Sequence, residues 1–153
     1  MKKIVFFMML AVLGFGAFGC SDNENVEAPV GEVPVSVDIK IVDALGCDLL
    51  APESENNVFG QIGVLVDGRE CQVEFVPSAV NAGSALPANC VHKGTDGWLL
   101  SLTTMQSGYY DMSISLNIGE KEHQVRKINS KTEYVLLVDG ESVSPNDVVT
   151  ILH

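Results

Sequence analysis

Basic residues are scarce in this chain, which has 9 Lys and Arg against 20 Asp and Glu and a formal net charge of −11 at pH 7. Nucleic-acid binding requires a basic surface that neutralises phosphates, so this composition argues against it. The same deficit disfavours electrostatic adhesion to anionic lipid. We therefore expect no nucleic-acid partner.

Signatures of catalysis and of metal binding are also missing. The sequence contains no G-x-S-x-G, H-E-x-x-H, P-loop or Gly-rich dinucleotide motif, and no C-x-x-C pair typical of zinc sites. His92, His123 and His153 lie far apart in the sequence, and we expect the neighbouring Cys90 and His92 to point to opposite faces of their segment. We predict no catalytic residue, no metal and no cofactor, and hence no enzyme.

Helical periodicity is absent, whereas apolar and polar residues alternate with period two along most of the chain. Asp67-Gly68 favours a type I′ hairpin turn, Gly119-Glu120 a type II′ turn, and Asp139-Gly140 a third turn. We predict a long loop over 77–97 and an edge position for the polar strand 121–128. The eight predicted strands are 33–42, 61–66, 69–76, 98–103, 109–118, 121–128, 133–138 and 148–152. This pattern predicts an all-β fold, an antiparallel Greek-key β-sandwich of the immunoglobulin-like or transthyretin-like kind.

The first residues are typical of a secretory signal. Lys2 and Lys3 precede an apolar run, and Ala17 and Gly19 are small residues just before Cys20. The run of about fifteen residues is short of a membrane span. We therefore predict a signal peptide over 1–19, a flexible tether over 20–32 and one domain over 33–153.

Cys20 itself resembles the lipidated cysteine of bacterial lipoproteins, which is acylated and becomes the new N-terminus after cleavage. Acyl chains then anchor the protein, since each buried CH₂ contributes about 0.8 kcal/mol. The alternative is an ordinary cleavage site with an incidental cysteine. The acidic run that follows resembles the surface-export signal of Bacteroidota lipoproteins, although a flexible tether would have the same composition. Its residues are Ser21, Asp22, Asn23 and Glu24.

A second resemblance lies in D-A-L-G-C-D-L-L-x-P, residues 43–52, which is similar to a phrase in small uncharacterised Bacteroidota lipoproteins. That likeness covers residues 35–52 and implies an outer-membrane, lipid-anchored and surface-exposed location with a β-sandwich domain. It implies no activity.

Cysteines offer one further constraint. With Cys20 acylated, Cys47, Cys71 and Cys90 remain, and an exported protein can hold disulfides. Cys71 alternates in phase with apolar residues and is expected to be buried. Cys47 and Cys90, in turn-like segments, are the candidate pair, and three reduced thiols are the alternative.

Aromatic residues suggest the remaining route to function. Trp98 and Tyr110 fall on apolar alternations and are expected in the core, whereas Tyr109 has the opposite phase and is the candidate ligand contact. Two partner classes stay open: a protein, bound by a structural or adhesion module, and a glycan, bound by an accessory of a nutrient importer.

Overall fold

The computed structural model of the chain describes residues 31–77, 85–145 and 148–153. The described residues from 31 onward belong to one compact unit. The predicted signal peptide and most of the predicted tether lie outside the described residues.

Eleven strands in two sheets make up the described part of the chain. One sheet has the order β11-β1-β6-β5-β4, and the other has the order β10-β9-β8-β7-β2-β3. A short 3-10 turn, Phe59–Gln61, precedes β2. The strands are β1 Val33–Val42, β2 Ile62–Val66, β3 Arg69–Cys71, β4 Glu74–Phe75, β5 Asn89–Gly94, β6 Gly97–Gln106, β7 Tyr110–Ile118, β8 Lys121–Asn129, β9 Tyr134–Val138, β10 Glu141–Val143 and β11 Val149–Leu152.

The core lies between the two sheets, as alternation predicts. On β1 the residues from Val35 to Ile41 are buried at every second position, and β7 repeats the pattern from Met112 to Ile118. Each such side chain contributes on the order of 1.5–3 kcal/mol when it leaves water. The prediction of an all-β sandwich is confirmed, with β1–β11 and β4–β5 as parallel pairs among antiparallel ones.

Turn chemistry sets the register of the hairpins. Asp67 and Gly68 both have positive φ, 50° and 74°, and Asp139 and Gly140 have 50° and 88°. Both pairs therefore meet the type I′ requirement. Gly119 has φ 60° and Glu120 does not have positive φ, as a type II′ turn demands. All three predicted turns are confirmed.

The predicted strand 69–76 is wrong in its second half. The chain leaves its sheet after β3, and β4 joins the opposite sheet beside β5. The change of sheet places the Phe75 ring 5.2 Å from that of Trp98 and 5.3 Å from that of Phe59. A local alternation pattern does not reveal such a transfer, because both halves keep the same phase.

Three further expectations need correction. The predicted loop 77–97 contains β5, and β10 was not predicted. β8 is not an edge, because it lies between β7 and β9. The polar residues of β8 lie on the face of the antiparallel sheet that is exposed to solvent. A strand with such a face has a polar composition similar to that of an edge strand.

Candidate functional site

Three tyrosines gather at one end of the sandwich, which we call the tyrosine end: Tyr109, Tyr110 and Tyr134. Here β1 and β7 begin and β6 ends, and the register places Tyr110 and Tyr134 on either side of Asn129 in β8. Tyr109 is 58% exposed and Tyr134 46% exposed. The expected exposure of Tyr109 is therefore confirmed.

The connection between β6 and β7 explains the position of Tyr109. Gly108 has φ 64°, a left-handed conformation that glycine adopts without strain. Tyr110 then enters β7 with the phase of the core and is half buried, while Tyr109 faces solvent. Burial, first of all, and the neighbouring Tyr134 raise the pKa of the Tyr110 phenol, so the Tyr110 hydroxyl stays protonated at neutral pH.

Apolar side chains are also exposed at the tyrosine end. Met105 is 54% exposed and Val33 46% exposed, and their strands are paired so that Val33 lies opposite Gln106 and Pro34 opposite Met105. Tyrosine and methionine are enriched in protein interfaces. The sequence did not identify Met105 and Tyr134 as exposed, because each lies in a regular strand. Their exposure depends on where the facing sheet stops covering that strand.

A polar groove of about 410 Å³ opens beside Met105. Its volume falls within the range of about 300–1,000 Å³ for small-molecule pockets. Asp67 is fixed there, since its Oδ1 accepts from the Ser113 N–H at 2.9 Å and its Oδ2 from Gln106 Nε2 at 3.4 Å. The groove is lined by Val66, Asp67, Arg69, Cys71, Asn89, Thr103, Thr104, Met105 and Gln106.

On the outer face of the five-stranded sheet, a hydroxyl links a histidine and a carboxylate. Ser101 Oγ donates to Asp38 Oδ1 at 2.5 Å and lies 2.8 Å from His92 Nε2. The serine hydroxyl therefore donates its hydrogen bond to the Asp38 carboxylate. This network ties β1, β6 and β5 together.

Cys90 shares that outer face with His92, so the expectation that the two point to opposite faces is wrong. Residues two apart on a strand point the same way, and Cys90 pairs with Ser101. Cys90 is fully buried. Burial, Glu74 and Asp38 raise the pKa of its thiol, which disfavours the thiolate that a nucleophile needs.

The cysteine pairing is corrected as well. Cys47, Cys71 and Cys90 are all free. Cys90 lies at the level of Asp38 through the pairing of β5, β6 and β1, whereas Cys47 follows Asp43 beyond the end of β1. The five residues of strand from Asp38 to Asp43 span roughly 16 Å. Cys47 and Cys90 are therefore much farther apart than the ~7 Å between Cα atoms that a disulfide bridges. Cys71, expected to be buried, is partly buried and packs against the core at the end of β3.

The remaining predicted site residues lie outside the described residues: Cys20, Ser21, Asp22, Asn23 and Glu24. Among residues 31–77, 85–145 and 148–153, no helix has the length and apolar content to cross a membrane.

Comparisons with protein families, with curated proteins and with solved structures find no match for this chain. The resemblance to Bacteroidota lipoproteins stays a prediction, as does the choice between immunoglobulin-like and transthyretin-like topology.

Proposed function

We propose that this chain is a non-enzymatic lipoprotein of the outer membrane, exposed at the cell surface, that binds a partner protein through its tyrosine end. The signal-like residues before Cys20 and the acidic run after it support the location. Cys20 carries the acyl chains, and the domain contributes adhesion or envelope assembly.

One observation carries the binding proposal: exposed tyrosine, methionine and valine side chains collect at a single end of the domain. Tyr109, Tyr134, Met105 and Val33 are each 46–58% exposed, and the strand register places all four at that end. Tyrosines give large contact area with little loss of conformational freedom, which makes them frequent anchors of interfaces.

Site-specific photo-crosslinking in intact cells tests this proposal. A benzophenone amino acid replaces Tyr109 in one variant and Tyr134 in a second. Leu45 is the matched control, because it is 88% exposed and lies beyond the opposite end of β1. We expect a discrete protein adduct from the first two positions and none from the control. No adduct, or the same adducts from all three positions, would contradict the proposal.

Glycan binding is the second candidate, favoured by the polar groove beside Met105. Asn89, Thr103 and Gln106 supply amide and hydroxyl groups along its wall, and aromatic rings stack on sugars through their apolar faces. A glycan array distinguishes the two functions. Protein binding predicts no hit. A reproducible hit that Tyr109→Ala or Asn89→Ala abolishes, and that Leu45→Ala leaves intact, would favour the glycan function, as would a neighbouring gene pair for glycan import.

A further inference from the structure

Two histidines, 30 residues apart in sequence, meet at the end of the sandwich opposite the tyrosines. His123 is the third residue of β8 in the six-stranded sheet, and His153 follows β11 in the other sheet. Their ring centroids are 6.5 Å apart, and the rings are inclined at 66°. The juxtaposition depends on the pairing of β11 with β1 and could not be seen in the sequence.

Asp139 fixes the orientation and the tautomer of His123. Its Oδ2 accepts from His123 Nδ1 at 2.8 Å, and its Oδ1 accepts from the Gln124 N–H at 2.7 Å. Partial burial acts to raise the pKa of Asp139, but the bonds from Gln124 and His123 hold it below its usual value. The carboxylate therefore engages Nδ1, and Nε2 is the ring nitrogen of His123 left to engage a ligand.

That Nε2 atom has no hydrogen-bond partner within the described residues. His123 is 4% exposed, and its Nε2 is buried without a hydrogen bond. A buried polar atom left unpaired is destabilising, so a ligand that engages it gains affinity from relieving that cost. A histidine whose Nδ1–H is held by a carboxylate is the usual second-shell arrangement of a metal ligand.

We infer that His123 and His153 bind one divalent transition-metal ion, of the zinc class, across this end of the two sheets. Imidazole nitrogen is a favoured ligand of zinc, copper and nickel. With metal–nitrogen bonds of about 2.0–2.1 Å and a tetrahedral angle, two imidazoles on one ion have ring centres roughly 5 Å apart. The observed separation of 6.5 Å is larger, so binding requires the exposed His153 ring to move toward His123.

Water completes the coordination, because the described residues contain no group of three His, Cys, Asp or Glu side chains placed to hold a metal ion. Lys121 opposes the cation, although its Nζ is engaged by the Leu152 carbonyl at 3.1 Å. We therefore expect a site weaker than a structural zinc site with four protein ligands.

Titration of zinc chloride into the full chain, purified in detergent, tests the inference by calorimetry and by the thermal unfolding midpoint. The exposed Cys47 thiol is a competing zinc ligand, so every variant carries Cys47→Ser. We expect one ion per chain and a midpoint that rises with zinc concentration. His123→Gln and His153→Gln should each weaken binding at least tenfold.

His92→Gln is the matched control, because His92 is bonded to Ser101 on the outer face of the sheet, away from the pair. It should bind zinc like the parent chain. His153→Gln keeps the test decisive if His123→Gln disturbs folding. Absence of binding in the Cys47→Ser parent, or equal affinity in His153→Gln and His92→Gln, would overturn the inference.

Discussion

The turn between β2 and β3 provides a direct test of how the sandwich keeps its register. Gly68 has φ 74°, and a Cβ added there would meet nothing within 4 Å. Gly68→Ala is therefore disfavoured by backbone conformation alone, which costs a residue with a side chain about 1–2 kcal/mol. No steric clash contributes to that cost.

Gly60 is the matched control. A Cβ there also meets nothing within 4 Å, and Gly60 does not have positive φ. Both substitutions reduce the freedom of the unfolded chain equally, which by itself stabilises by about 0.4–1 kcal/mol. The difference between Gly68→Ala and Gly60→Ala therefore isolates the cost of the left-handed conformation, about 1–2 kcal/mol.

Urea unfolding measures this difference. The chain has one tryptophan, and Trp98 is 6% exposed, so its fluorescence reports loss of the core. With a urea dependence of about 1–3 kcal/mol per M, the midpoint of Gly68→Ala should lie roughly 0.3–2 M below that of Gly60→Ala. Equal midpoints would refute the type I′ turn and the strand register that rests on it.

Three further outcomes are expected. Leu100→Ala removes a fully buried side chain and should lower the free energy of unfolding by about 2–5 kcal/mol, whereas Leu45→Ala should change it by less than about 0.5 kcal/mol; similar losses would contradict the assigned core. Asp139 has a lowered pKa in the folded state. Its contribution to the free energy of unfolding is therefore present above the pKa of the unfolded state, and it is lost as the pH falls through the pKa of the folded state. The urea midpoints of wild type and Asp139→Asn should accordingly differ at pH 7 and converge in acid, once the pH lies below the lowered pKa of Asp139, and a gap that persists there would contradict this linkage. A thiol reagent should modify Cys47 in the native protein and Cys90 only in denaturant, since Cys47 is exposed and Cys90 fully buried; rapid native labelling of Cys90, followed by mass spectrometry, would disprove its position.

Local patterns predicted a large part of this fold. β1 spans the predicted residues 33–42, and the buried Leu49 and Leu50 follow it. Period-two alternation and the turn residues Asp67-Gly68 act over a few neighbouring residues, so they can be recognised in a single sequence.

Features that depend on distant pairing were not predictable in this way. The transfer of β4 to the other sheet and the internal position of β8 follow from which strands pair, and alternation carries no information on that choice. The approach of His123 to His153 has the same origin. The shared face of Cys90 and His92 is a different case, because the rule for extended strands already requires it.

The tyrosine end was predicted in part. The phase of Tyr109 against Tyr110 identified the exposed ring, whereas the exposure of Met105 and Tyr134 depends on where the facing sheet stops covering the core. The end of a sandwich is formed by two sheets together, so the sequence of a single strand does not show which of its residues lie there.

The central proposal is that Cys20 anchors this domain to the membrane by lipid. The direct measurement compares wild type with Cys20→Ser for metabolic incorporation of a fatty-acid analogue and for recovery in the membrane fraction. The proposal predicts labelled, membrane-bound wild type and an unlabelled variant released from the membrane, with the wild-type domain accessible to protease on whole cells. A Cys20→Ser variant that stays membrane-bound without lipid would contradict it.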